Sequence, residues 1–192
     1  ELAKYFSKKK HEVYFLCKNL EGNLNFWVKS EKFKLLTINK NIMDLESELK
    51  ETEDIISKYK KFGSLIVDHY NLDHKWENKM RKFADRIIVL DDLANRKHDC
   101  DFLIDQNLYL DNESRYEELV SKNTIKLLSP KYAIIKEDFY RYRSEKKTLN
   151  PIKNLFICFG ATDPGNHTLA TLQTLKKINY KFNSINIFTT EG

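Results

Sequence analysis

The sequence predicts an α/β fold in which a parallel sheet alternates with helices, followed by the opening of a second unit of the same kind. Three observations carry this. Short apolar runs of strand length recur at 13–17, 34–38, 65–67, 87–90, 102–104, 125–128, 155–158 and 185–188. Between several of them lie segments with helical apolar spacing, the βαβ rhythm that accompanies parallel pairing. Three runs also break off abruptly into polar residues: Leu65-Ile66-Val67 into Asp68-His69-Tyr70, Ile87 to Leu90 into Asp91-Asp92, and Phe102-Leu103-Ile104 into Asp105-Gln106-Asn107. Ligands of open α/β sheets bind beyond the carboxyl ends of the strands, so polar side chains delivered there mark a candidate site.

Leu2, Ala3, Tyr5 and Phe6 read as the last turns of a helix, with Lys8-Lys9-Lys10 at its negative end. A strand at 13–17, the loop 19–23, a short helix and the strand Lys34 to Ile38 follow. Apolar residues at 43, 45, 49, 55, 56 and 59, with acids early and lysines late, predict a surface helix over 43–59 that Gly63 stops. Asp73 stands where an N-cap is needed for a helix carrying Trp76, Met80 and Phe83. A further helix is expected around Ser114 to Val120. Next come a strand at 125–128 ended by Pro130, the segment Tyr132 to Ile135, and an aromatic, charged segment at 139–147. The polar stretch 144–151 reads as a domain boundary, giving a first domain of 1–146 and the beginning of a second at 147–192. That second unit should run strand 155–158, loop 159–166, helix 167–177 and strand 185–188.

At 192 residues the chain can form one domain and part of another. No apolar run approaches the roughly 20 residues that cross a bilayer, and no secretory pattern precedes the first element, so a cytoplasmic location without membrane contact is expected. The net charge of +5 comes from 33 basic residues scattered among 28 acidic ones. Lys8-Lys9-Lys10 is too short for a nucleic-acid tract, and no such partner is expected. Cys17, Cys100 and Cys158 are isolated, which suits neither a disulfide framework nor zinc spacing; no metal and no cofactor are expected.

The stretch Gly160-Ala161-Thr162-Asp163-Pro164-Gly165-Asn166 lies between a strand and a helix, where small residues and free amides can cradle a phosphate. Many ordinary βα turns look the same. Asp68-His69-Tyr70 offers an acceptor, a titratable ring and a phenol, any of which could orient a sugar hydroxyl or move a proton. Asp91 and Asp92 cannot both flank one bond, because neighbours on an extended chain point oppositely, so one of the two at most faces a ligand. In His98-Asp99-Cys100-Asp101 the cysteine alternates with acids as a buried strand residue does, and the spacing fits no closed zinc geometry. Tyr132, Phe139, Tyr140 and Tyr142 suit packing between domains better than base stacking, since no basic groove accompanies them.

Taken in order, Asp68-His69-Tyr70, Trp76-Glu77, Asp91-Asp92-Leu93-Ala94-Asn95, His98 to Asp101, Asp105-Gln106-Asn107, Pro130-Lys131-Tyr132-Ala133, Glu137-Asp138-Phe139 and Gly160 to Pro164 form a pattern spanning nearly the whole chain. It resembles the UDP-2,4-diacetamido-2,4,6-trideoxy-β-L-altropyranose hydrolase family of pseudaminic acid biosynthesis. The resemblance implies a glycosyltransferase-B fold of two Rossmann-like domains, related to the MurG type, with a UDP-sugar between them and water attacking the anomeric carbon. It implies substrate contacts from Asp68, Tyr70, Asp91, Asn107 and Tyr132 on the sugar side and from Gly160, Thr162 and Asp163 at the start of the nucleotide-binding domain. Its general base is a histidine in a G-x-G-H-x-x-R loop, expected upstream of Glu1, and most uridine contacts are expected after Gly192. The family usually carries a second glycine where Ala161 stands, and a methyl there narrows the approach to phosphate. A glycosyltransferase of the same fold and a non-catalytic nucleotide-sugar binding protein are the alternatives, which fold alone does not separate.

Overall fold

The computed structural model describes residues 1–39, 41, 44–110, 114–141, 151–160 and 163–188. They fall into two compact units, 1–139 and 140–192. In the first lie α1 (Leu2–Lys8), β1 (Tyr14–Lys18), α2 (Asn25–Ser30), β2 (Lys34–Ile38), α3 (Leu45–Ile56), β3 (Leu65–Asp68), α4 (His74–Met80), β4 (Ile87–Leu90), β5 (Phe102–Asp105) and β6 (Ile125–Leu128). Helix α5 (Glu137–Arg141) straddles the division. The boundary expected at 144–151 lies almost wholly outside the described residues.

Among the described residues every strand pairing is parallel. Strands β3, β4, β5 and β6 form one sheet in that order, while β1 pairs with β2 in a separate ribbon. Along β4 the pleat separates the fully buried Ile87 and Val89 from the half-buried Ile88 and Leu90, the period of two that a sheet requires. Val67, Ile87, Val89 and Leu103 form the sheet side of a core closed by Ile56 of α3, Trp76 and Met80 of α4, and Tyr116. Leu16 of β1 packs against the same cluster. The result is a mixed α/β, Rossmann-like architecture.

Helix starts follow the side chains available to satisfy free amides. Asp44 accepts from the Ser47 amide at 2.7 Å and caps α3; Asp73 accepts from the Lys75 and Trp76 amides at 3.0 and 3.4 Å and caps α4. Each such cap contributes about 1 kcal/mol. Beyond Met80 the chain tightens into a 3-10 turn at Arg81–Phe83, so the helix foreseen through Phe83 changes pitch at its end.

Two connections decide where functional residues sit. Residues 114–120, expected as a helix, form successive turns, with amide bonds from Glu117 to Ser114 and from Leu119 to Tyr116. Their apolar spacing is helical, but Tyr116 is drawn into the core and its hydroxyl is held there by polar partners, which outweighs local propensity. The crossover from β4 to β5, residues 91–101, contains no helix at all. Its backbone groups must therefore find partners among side chains and neighbouring loops.

In the second unit β7 (Asn154–Cys158), α6 (His167–Leu175) and β8 (Ser184–Phe188) make one βαβ unit whose two strands pair in parallel.

Candidate functional site

The carboxyl edge of β3–β6 collects the polar residues that end the strands. Asp68 is the last residue of β3 and pairs in register with Leu90; Asp105 ends β5 opposite Leu128. Asp68 and His69 are exposed, and Tyr70 is 63% exposed. Asn107 is half-buried, its amide bonded to Asp105 Oδ1 at 3.0 Å. Tyr132 is half-buried in a 3-10 turn at Pro130–Tyr132 that follows β6. Gln106 Oε1 accepts from the Ile134 amide at 3.0 Å and ties that turn to the end of β5. Four of the five first-unit residues named from the sequence thus present accessible surface beyond the ends of β3, β5 and β6.

Asp91 differs. Its side chain is fully buried and both carboxylate oxygens are engaged: Oδ1 with Arg96 Nη1 at 2.7 Å, and Oδ2 with the Ala94 amide at 2.9 Å and the Tyr116 hydroxyl at 3.1 Å. Burial pushes this carboxyl up, but the Ala94 amide, the Arg96 charge and hydrogen bond, and the Tyr116 hydroxyl together hold it below the ordinary aspartate range. Its geometry organises the loop. Asp92 is half-buried, with its carbonyl accepting from Arg115 Nη2 at 2.9 Å.

Around Asp91 lies a buried polar network whose members the sequence reading did not rank as site residues. The Tyr116 hydroxyl is 3.0 Å from Asp105 Oδ2 as well as 3.1 Å from Asp91 Oδ2; burial and the two carboxylates push its phenol far up, so it serves as a donor. Glu77 is fully buried on α4 and meets His98 Nδ1 at 2.7 Å and the Asp99 amide at 2.6 Å. His98 Nε2 faces Asp91 Oδ2 at 3.9 Å. Arg96 spans three places at once: Asp91, the Leu72 carbonyl at 2.7 Å and the His69 carbonyl at 3.0 Å. For Arg96 and His98 the available signal was a run of polar residues between two apolar strands.

Farther from the strand ends, Arg81 pairs with Asp99 at 2.7 Å and Asp101 at 3.2 Å, and its hydrogen bond is the main cause that lowers the Asp99 carboxyl. Cys100 between them is buried, and desolvation pushes its thiol up to about 12, so it packs as a neutral side chain. Among the described residues no group of three His, Cys, Asp or Glu side chains is arranged to hold a metal ion. None of their helices is long and apolar enough to cross a membrane.

In the second unit, Gly160 follows β7 with φ +80°, a conformation that favours glycine, and its Cα faces open space. Asp163 accepts from the His167 and Thr168 amides, each at 2.9 Å, and so occupies two donors at the start of α6; the Thr168 side chain and amide, together with the His167 amide, hold its carboxyl below the usual range. Ala161 and Thr162 lie outside the described residues.

No protein-family model matches the sequence. The chain is similar to the UDP-2,4-diacetamido-2,4,6-trideoxy-β-L-altropyranose hydrolase of Campylobacter jejuni, 31% identical over 177 residues that cover 92% of this chain and 58% of that protein. It is also similar to an uncharacterized protein of Methanocaldococcus jannaschii, 25% identical over 82% of this chain and 34% of the relative. The chain therefore spans little more than half, and about a third, of the lengths of these relatives. The resemblance carried by the ordered motifs extends, by identity, along nearly the whole chain.

Proposed function

We propose that this chain belongs to a nucleotide-sugar hydrolase that splits a UDP-linked 2,4-diacetamido-2,4,6-trideoxy sugar into free sugar and UDP, as a cytoplasmic step of pseudaminic acid biosynthesis. The observation that carries the reading is the 31% identity with the Campylobacter hydrolase across 92% of the chain. The accessible polar strand ends support it, since carboxylate, phenol and amide groups along the carboxyl edge of one sheet suit a hydroxylated, acetamido-bearing ligand.

In this reading Asp68, Tyr70, Asn107 and Tyr132 face the sugar, and Asp91 acts through the loop it holds rather than by touching substrate. Gly160, Thr162 and Asp163 belong to the phosphate-side loop. With two amides at the start of α6 already taken by Asp163, the phosphate contacts come from the loop itself. A water oxygen bonds to the anomeric carbon while the bond from that carbon to the UDP oxygen breaks; the water proton passes to a general base, which the family resemblance takes to be a histidine. UDP leaves with the bond electrons.

The test is product analysis with the full-length protein and the UDP-linked altrose sugar, with and without candidate acceptors. Equimolar UDP and free sugar, unaffected by acceptor, are expected. Sugar transfer to an acceptor would make the protein a transferase, and UDP binding without turnover would make it a binding protein; either outcome overturns the hydrolase reading.

A further inference from the structure

The geometry points to Arg96 as the positioning residue that pre-sets the sugar-facing loop 69–72 and thereby sets substrate affinity. This rests on the functional reading above. Arg96 is not paired simply as a surface cation. Its side chain is only 14% exposed, and its guanidinium distributes donors among the Asp91 carboxylate at the end of β4, the His69 carbonyl and the Leu72 carbonyl. The two carbonyls bracket Tyr70 and Asn71, so one planar fork fixes both ends of the segment that carries the exposed Tyr70 ring.

The fork needs a rigid base, and Asp91 supplies it. Oδ2 of the carboxylate is held by the Ala94 amide and the Tyr116 hydroxyl, so Oδ1 is presented to Arg96 in a fixed direction. The Lys97 carbonyl accepts from the His74 amide at 2.9 Å, closing the far end of the same loop against the same crossover. Lysine cannot replace this arrangement, because an ammonium lacks the planar set of donors that reaches three acceptors in different directions.

A loop held in its bound shape binds its ligand without paying the entropy of ordering. Loss of the fork should therefore raise KM while leaving the chemical step, whose base lies elsewhere, nearly untouched. A purely structural Arg96 would instead lower stability and leave KM alone.

The experiment uses the full-length protein with Arg96→Lys and Arg96→Ala, the UDP-linked altrose sugar as substrate, and Lys97→Ala as a control for loss of a neighbouring charge. We expect KM to rise about tenfold or more in both Arg96 variants, with kcat within about threefold, consistent with loss of charge-assisted hydrogen bonds. Free guanidinium ion should lower the KM of Arg96→Ala and leave the wild type unchanged. Amide exchange should quicken in Arg96→Lys across 69–74 more than elsewhere in the first unit. Wild-type KM in folded Arg96→Lys, or a fall in kcat at constant KM, overturns the assignment. If Arg96→Ala does not fold, KM and exchange in Arg96→Lys decide alone. If the wild-type protein releases no UDP, the hydrolase reading falls, and exchange at 69–74 still decides whether Arg96 sets the loop.

Discussion

Glu77 on α4 and His98 on the β4–β5 crossover meet at 2.7 Å with both side chains fully buried. The second Glu77 oxygen takes the adjacent Asp99 amide at 2.6 Å. One carboxylate thereby fixes the middle of a connection that has no helix of its own, and holds the residues between Asp91 and Asp101 in place for the strand-end site.

Removing that carboxylate takes the partner from the buried His98 ring and from the half-buried Asp99 amide. Glu77→Ala should destabilise the first unit by about 3 kcal/mol, at one to two lost bonds of charged character. Glu77→Gln should cost less than half as much, because its amide can donate to one imidazole nitrogen while its carbonyl accepts from Asp99. Urea unfolding of the two variants measures both; equal stability of Glu77→Ala and wild type would show that the crossover is held by other contacts.

Tyr116→Phe keeps the ring volume in the core and deletes only the hydroxyl that links Asp91 and Asp105. The expected loss is about 1–3 kcal/mol, the cost of leaving buried carboxylate oxygens short of a donor. Tyr116 is fully buried, so the change is read cleanly by thermal unfolding. If the loop pre-sets the sugar wall, full-length Tyr116→Phe should also bind substrate more weakly.

Asp91 and Asp99 are both held below their ordinary pKa in the folded chain. A depressed carboxylate contributes stability that is present above the unfolded aspartate value, about 3.9, and is lost as pH falls through the lower folded value. Stability should therefore be flat in these two groups near neutrality and decline on acidification below about pH 4. Asp99→Asn should flatten that acid limb, as followed by circular dichroism against pH; an unchanged acid limb would contradict the pairing of Asp99 with Arg81.

The sheet was legible because its strands are short apolar runs with turn residues between them, and the helices spaced among the earlier strands announce parallel pairing, although β4–β5 and β5–β6 pair in parallel with no described helix between them. Asp44 and Asp73 could be placed by their positions before apolar-periodic segments, and Asp73 was. The separation of β1 and β2 from β3–β6 could not be read, since pairing depends on which strands lie side by side rather than on their composition. Segment 114–120 misled because Tyr116, Leu119 and Val120 have helical spacing, while the force that shapes it is a hydroxyl seated between carboxylates distant in sequence. At the site, Asp68 and Tyr70 were visible as abrupt polar ends of apolar runs. Asp91 had the same signature, yet it is engaged by Ala94, Arg96 and Tyr116, and the last of these, 25 residues away, is a partner that no local pattern identifies.

In the proposed hydrolysis, water attacks a UDP-linked 2,4-diacetamido sugar at its anomeric carbon. Turnover of the full-length protein in heavy-oxygen water, followed by mass spectrometry of both products, tests it most directly. The expected result is one heavy oxygen on the anomeric hydroxyl of the released sugar and none on UDP. Heavy oxygen on the terminal phosphate of UDP, or no cleavage of the UDP-linked sugar, would contradict it.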